Sequence, residues 1–123
     1  FSLVSAALFG ATAVVLGAFG AHALRGVIDE RALGIWHTAV EYQFWHALAL
    51  LAVGMLARTH ATTPLRWAAL ALFAGILLFC GSLYLLALGA PRAIGVMTPF
   101  GGVLFIVAWL ALALHAWRDG ERS

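Results

Sequence analysis

Four predominantly apolar stretches, each about as long as a bilayer is thick, constrain this chain more than any other feature: Leu3–Leu24, Ala32–Leu56, Leu65–Leu88 and Pro99–Trp117. An α-helix rises about 1.5 Å per residue, so roughly twenty residues cross the ~30 Å hydrocarbon core of a membrane. Inside that core every backbone polar group must find a partner within the protein, and a single strand cannot provide one. Stretches of this length therefore predict helices. The expected fold is all-α: an integral membrane four-helix bundle with short loops, forming one transmembrane domain over residues 1–123.

Composition supports lipid as the solvent. Of the 123 residues, 64% are hydrophobic and only 10% are charged, and the mean hydropathy is +1.01. A water-soluble chain this short needs a largely polar surface, which twelve charged side chains cannot supply. The net charge of +2 arises from seven arginines against five acids, with no lysine, and the arginines form no stripe. A nucleic-acid partner is thereby disfavoured. The single cysteine, Cys80, excludes an internal disulfide and is expected as a small core residue.

Local signals separate the spans. Arg25, Gly26 and Asp29-Glu30-Arg31 interrupt the first two stretches, with Asp29 placed to cap the second helix. Thr63-Pro64 opens the third span as N-cap and first helical residue, and Thr98-Pro99 opens the fourth in the same way. Gly89-Ala-Pro91-Arg92 closes the third. The first stretch exceeds a signal peptide's apolar core and carries Gly10, Gly17 and Gly20, so it is expected to be retained as a span. Small residues mark packing faces: Ala13, Gly17 and Ala21 in span one, Ala71 and Gly75 in span three, Gly101-Gly102 in span four. His115 and Trp117 suit an interfacial belt. Four arginines (Arg58, Arg66, Arg118, Arg122) lie on the side of the termini and three (Arg25, Arg31, Arg92) on the other, which predicts cytoplasmic termini.

Polar residues within the spans fall mostly in the half nearest the first and third loops. His22 ends span one there. His37, Thr38, Glu41, Tyr42 and Gln43 occupy that half of span two, with His46 near the middle; Ser82 and Tyr84 lie towards that end of span three, and Thr98 opens span four. An ionised Glu41 costs roughly 2.5 kcal/mol or more in hydrocarbon, so it must be paired, protonated or hydrated. His37 and Glu41 share a helical face, which suits a proton-handling or metal-liganding pair, or equally a pair that fixes helix register. No histidine spacing is diagnostic of a metal or haem site, so no cofactor is expected. Tyr42, Gln43, Ser82, Tyr84 and Thr98 read as interhelical hydrogen-bonding groups. No nucleophile and base are arranged for catalysis, and an enzyme on a lipid-soluble substrate ranks last.

The strings Gly17-Ala-Phe-Gly-Ala-His-Ala-Leu24, Thr38-Ala-Val-Glu-Tyr-Gln-Phe-Trp-His-Ala-Leu-Ala-Leu-Leu51, Gly75-Ile-Leu-Leu-Phe-Cys-Gly-Ser-Leu-Tyr84 and Met97-Thr-Pro-Phe-Gly-Gly102 resemble the YgdD-like family of small membrane proteins. The resemblance covers nearly the whole chain; Cys80 stands where the family suggests a small residue such as serine. It implies a four-span bacterial inner-membrane protein with no established reaction, substrate or cofactor. His22, Tyr42, Gln43, His46, Ser82, Tyr84, Thr98 and Pro99 match its motif positions. The functional expectation is therefore a non-enzymatic protein whose polar cluster forms a cavity for a small amphipathic ligand or lipid, or docks a partner membrane subunit. The alternative is a proton- or ion-conducting element, or an accessory subunit of a membrane redox complex, using Glu41, His37, His46 and His22. Self-association through the small-residue faces is also compatible with the sequence.

Overall fold

A computed structural model describes all residues, Phe1–Ser123. Four helices are long and apolar enough to cross a membrane. We label them α1 (Ser2–His22), α2 (Glu30–Thr59), α3 (Thr63–Ala87) and α4 (Met97–Gly120), the last preceded by a 3₁₀ turn at Arg92–Val96. There is no sheet; Arg25 and Ile28 form one isolated bridge inside the first turn. That turn reverses through Gly26 and the third loop through Gly89, both at positive φ, where a Cβ would be strained.

The local chemistry explains each helix start. Asp29 has an extended backbone and its carboxylate accepts the Ala32 N–H at 2.7 Å, satisfying an otherwise orphaned donor of α2. Helix α2 begins two residues before the expected span and ends three after it, because Glu30, Arg31 and Ala57–Thr59 continue the helix beyond the apolar window. At α3 the cap is Thr62, with Thr63 already helical and Pro64 just behind it. The expected cap Thr63 is thus displaced by one residue, and the Thr62 hydroxyl turns to His115 on α4. Thr98 does not cap α4 either. The 3₁₀ turn leads directly into Met97, so Thr98 and Pro99 sit in the first α-turn, where a missing N–H is tolerated.

The bundle is built from two antiparallel hairpins: α1 packs chiefly on α2, and α3 chiefly on α4, with α2 also lying along α3. Small residues set both hairpins. Ala13 is buried, Gly17 meets Val40, and a Cβ at Gly20 would stand 2.5 Å from the Trp36 ring. Ala21, expected on the same face, is exposed. Between α3 and α4, Gly75 faces the Phe105 ring and Gly101 lies against the Phe79 backbone. At this close approach α3 widens into one π-helical turn, Ile76–Cys80, that the sequence pattern did not indicate. The core runs from Leu50 and Val53 through Leu65 and Leu72 to Cys80, all almost fully buried. Elsewhere large apolar side chains such as Val15, Leu110 and Ile106 face outward, as helices bathed in lipid require.

Candidate functional site

The polar residues predicted to form one pocket are divided by helical phase into an inner and an outer set. On α2, Trp36, Ala39, Gln43, His46, Ala47 and Leu50 point inward, while His37, Thr38 and Glu41 point outward and are exposed. A rotation of about 100° per residue makes this division unavoidable once Gln43 faces the core. His22 is exposed as well. The expected cavity uniting His22, His37, Thr38 and Glu41 with the other polar residues is therefore not formed.

The inner set is a closed hydrogen-bond network. The Gln43 amide donates to the Phe9 carbonyl at 2.9 Å and to Thr12 Oγ1 at 2.8 Å, and its carbonyl accepts from the Tyr84 hydroxyl at 2.7 Å. Because the Phe9 carbonyl can only accept, the amide orientation is fixed. One side chain thereby joins α1, α2 and α3. Two turns away, Trp36 Nε1 donates to the Leu16 carbonyl at 2.8 Å, and the Trp36 ring meets Tyr84 edge-on at 4.7 Å.

His46 is held similarly. Its Nδ1 lies 2.7 Å from the Tyr42 carbonyl, an obligate acceptor, so Nδ1 carries the proton. Nε2 then accepts from Trp109 Nε1 at 3.3 Å. The ring stacks on Phe105 with centroids 3.6 Å apart. Both nitrogens of this imidazole are engaged. No three His, Cys, Asp or Glu residues gather closely enough to hold a metal ion. Half-buried Tyr42 stacks on Phe79. Ser82 donates to the Phe79 carbonyl at 2.9 Å, leaving Thr98 to donate to Ser82 at 2.5 Å and so tie α4 to α3.

Several participants were not singled out from the sequence: Thr12, Trp36 and Trp109, together with the Thr62–His115 pair at 3.0 Å. Thr12 was legible in principle as a polar residue midway along an otherwise apolar span; the indole donors were hidden because tryptophan counts as apolar. His115, assigned to the interfacial belt, is buried.

One small free space borders this network, and larger ones lie at the two ends of the bundle. A shallow groove of about 190 Å³ between α1 and α3 has Thr12, Gln43 and Tyr84 on its floor, with their polar groups already paired. A larger space, about 650 Å³, lies between the first and third loops, where Arg31, Arg92 and Asp29 stand beside Ile28, Ile35, Leu86 and Leu88. At the opposite end a cavity of about 280 Å³ is bounded by Thr62, His115, Arg118, Asp119 and Arg122.

Bundle, lipid-facing surface and polar interior together define a small four-span membrane protein. The chain belongs to the family described as protein of unknown function DUF423, whose model matches residues 16–102. That match starts beside the first motif and ends on Gly102, the last residue of the fourth. Similar proteins include a UPF0382 membrane protein of Staphylococcus epidermidis strain RP62A, 45% identical with 91% of each chain covered. Another is from Staphylococcus saprophyticus, 44% identical over 94% of this chain and 96% of the relative. The UPF0382 membrane protein YwdK of Bacillus subtilis is 42% identical over 93% of this chain and 94% of its own. No solved structure matches the chain.

Proposed function

We propose that this protein is a non-enzymatic phospholipid-binding protein of the bacterial inner membrane, holding a lipid headgroup in the cleft between its first and third loops. The observation that carries the reading is the composition of that 650 Å³ space: two guanidinium groups beside apolar walls at the end of a membrane bundle. Arg31 and Arg92 suit the phosphate, since guanidinium forks match phosphate oxygens. Asp29 suits a headgroup hydroxyl or amine, and Ile28, Ile35, Leu86 and Leu88 suit the first methylenes of the acyl chains. The arginine distribution favours cytoplasmic termini, which puts the cleft in the leaflet facing away from the cytoplasm.

The test is native mass spectrometry of detergent-extracted protein titrated with phosphatidylglycerol or phosphatidylethanolamine. The wild type is expected to retain one lipid, and Arg31→Gln combined with Arg92→Gln to weaken retention about tenfold, as loss of a charge-assisted phosphate contact does. Equal retention by the double variant and the wild type refutes the reading.

A further inference from the structure

An ionisable pair on the outside of the bundle, deep in the membrane, has no place in lipid. Gln43 marks its depth: its amide meets Phe9 and Thr12, which lie at the middle of the 21-residue α1. Glu41 is two residues away along α2, about 3 Å along the helix axis, and His37 is about 9 Å from the same level. Both are exposed on the bundle surface. The side-chain hydrogen bonds of α2 belong to other residues: Trp36, Thr38, Gln43, His46 and Thr59. Intramembrane carboxylates and imidazoles face protein or water rather than acyl chains, because hydrocarbon offers neither a counter-charge nor a hydrogen bond.

The same face continues along the whole helix. Gly34, Thr38, Trp45, Leu48, Ala52 and Met55, all exposed, join His37 and Glu41 on it at three- and four-residue steps. Gly34 and Thr38, four residues apart, permit close backbone approach at one end, and the large apolar residues fill the other.

We infer that this face of α2 is the interface with a second copy of the same chain, related by a two-fold axis along the membrane normal. Charge complementarity selects a copy of itself. His37 and Glu41 have opposite character and stand one turn apart; a two-fold axis along the normal keeps like residues at equal depth, so His37 of one protomer reaches Glu41 of its partner diagonally, across about 6 Å of axial offset, twice over. A hydrogen bond forms in either protonation state of the carboxyl group, because the imidazole can donate or accept. The inference is independent of the lipid cleft, which lies at the end of the bundle.

The experiment is single-molecule photobleaching of labelled protein reconstituted in phosphatidylethanolamine–phosphatidylglycerol vesicles over a range of protein-to-lipid ratios. The wild type is expected to bleach in two steps. Glu41→Leu and His37→Leu are each expected to weaken the dimer about tenfold, and the exchange His37→Glu with Glu41→His to restore it. In a Cys80→Ala background, Leu48→Cys is expected to cross-link between protomers and Leu110→Cys on α4 not to. The wild-type measurement stands even if a variant fails to fold. Monomers at every ratio, including a monomer that co-purifies with a different membrane subunit, overturn the inference. So does a dimer insensitive to both Glu41→Leu and His37→Leu, or one that cross-links through Leu110→Cys alone.

Discussion

Gln43 concentrates more of the bundle's specificity than any other side chain. Its two donors are used on α1 and its acceptor on α3, so that it joins three helices including its own. Interhelical hydrogen bonds in membranes contribute about 0.6 kcal/mol on average and up to about 2. Gln43→Leu, similar in size, is therefore expected to cost about 1–2 kcal/mol, mainly by orphaning the Tyr84 hydroxyl. Gln43→Glu is expected to cost more, about 3 kcal/mol, wherever its carboxyl group is ionised, because the carboxylate would face the lone pairs of the Phe9 carbonyl and bury a charge without a partner, whereas a protonated carboxyl group keeps one donor and costs less. Unfolding in mixed micelles with increasing sodium dodecyl sulfate measures both; equal stability of the two variants would contradict the assigned amide orientation. The sequence made Gln43 visible as a polar residue at depth, but not its partners. Two of the three are groups that a hydropathy reading passes over: a backbone carbonyl and a threonine in an apolar run.

The helices depend on glycines that admit a neighbour. Gly101→Ala would push a methyl group into the Phe79 backbone, which cannot swing aside as a side chain can. A cost of roughly 1–3 kcal/mol is expected, in line with overpacked cores. Gly10→Ala is the control: no atom lies within contact of the position its methyl group would take, so it should be near neutral. The same denaturation assay separates the two, and a harmless Gly101→Ala would mean that α3 and α4 lie further apart than described. The number, order and approximate limits of the helices were legible, because apolar length and capping residues are local properties. The π-helical turn at Ile76–Cys80 was not, since it answers to α4, more than twenty residues further along the chain. The single-residue shift of the α3 cap has a similar origin: Thr62 is engaged by His115, a tertiary contact without a local signature.

For the protein as an assembly, the sequence revealed that polar groups collect in one half of the membrane but not that they divide between inside and outside. That division follows from one rotational choice, the packing of Trp36, Gln43 and His46 against α1, α3 and α4. It paired the inner polar groups with one another and left His37 and Glu41 on the surface. The cleft between the loops was also hidden, because Arg31 and Arg92 are sixty-one positions apart and meet the same space only when the hairpins align. If that alignment depends on Trp36 resting in the notch at Gly20, then Gly20→Leu should disturb the first hairpin and lower lipid retention together, about tenfold for the latter. Native mass spectrometry beside the detergent titration would show the two effects; retained lipid in a destabilised variant would separate the cleft from the hairpin.

The bonds of Gln43 also imply an order of manufacture. Its donors are satisfied by α1, which is made before it, whereas its acceptor waits for Tyr84, forty-one residues later. A nascent chain that has released only its first two helices already has both amide hydrogens occupied, with one oxygen still vacant. The first hairpin can thus rest in the bilayer at small cost while the ribosome finishes the second, and the arriving tyrosine latches the halves together.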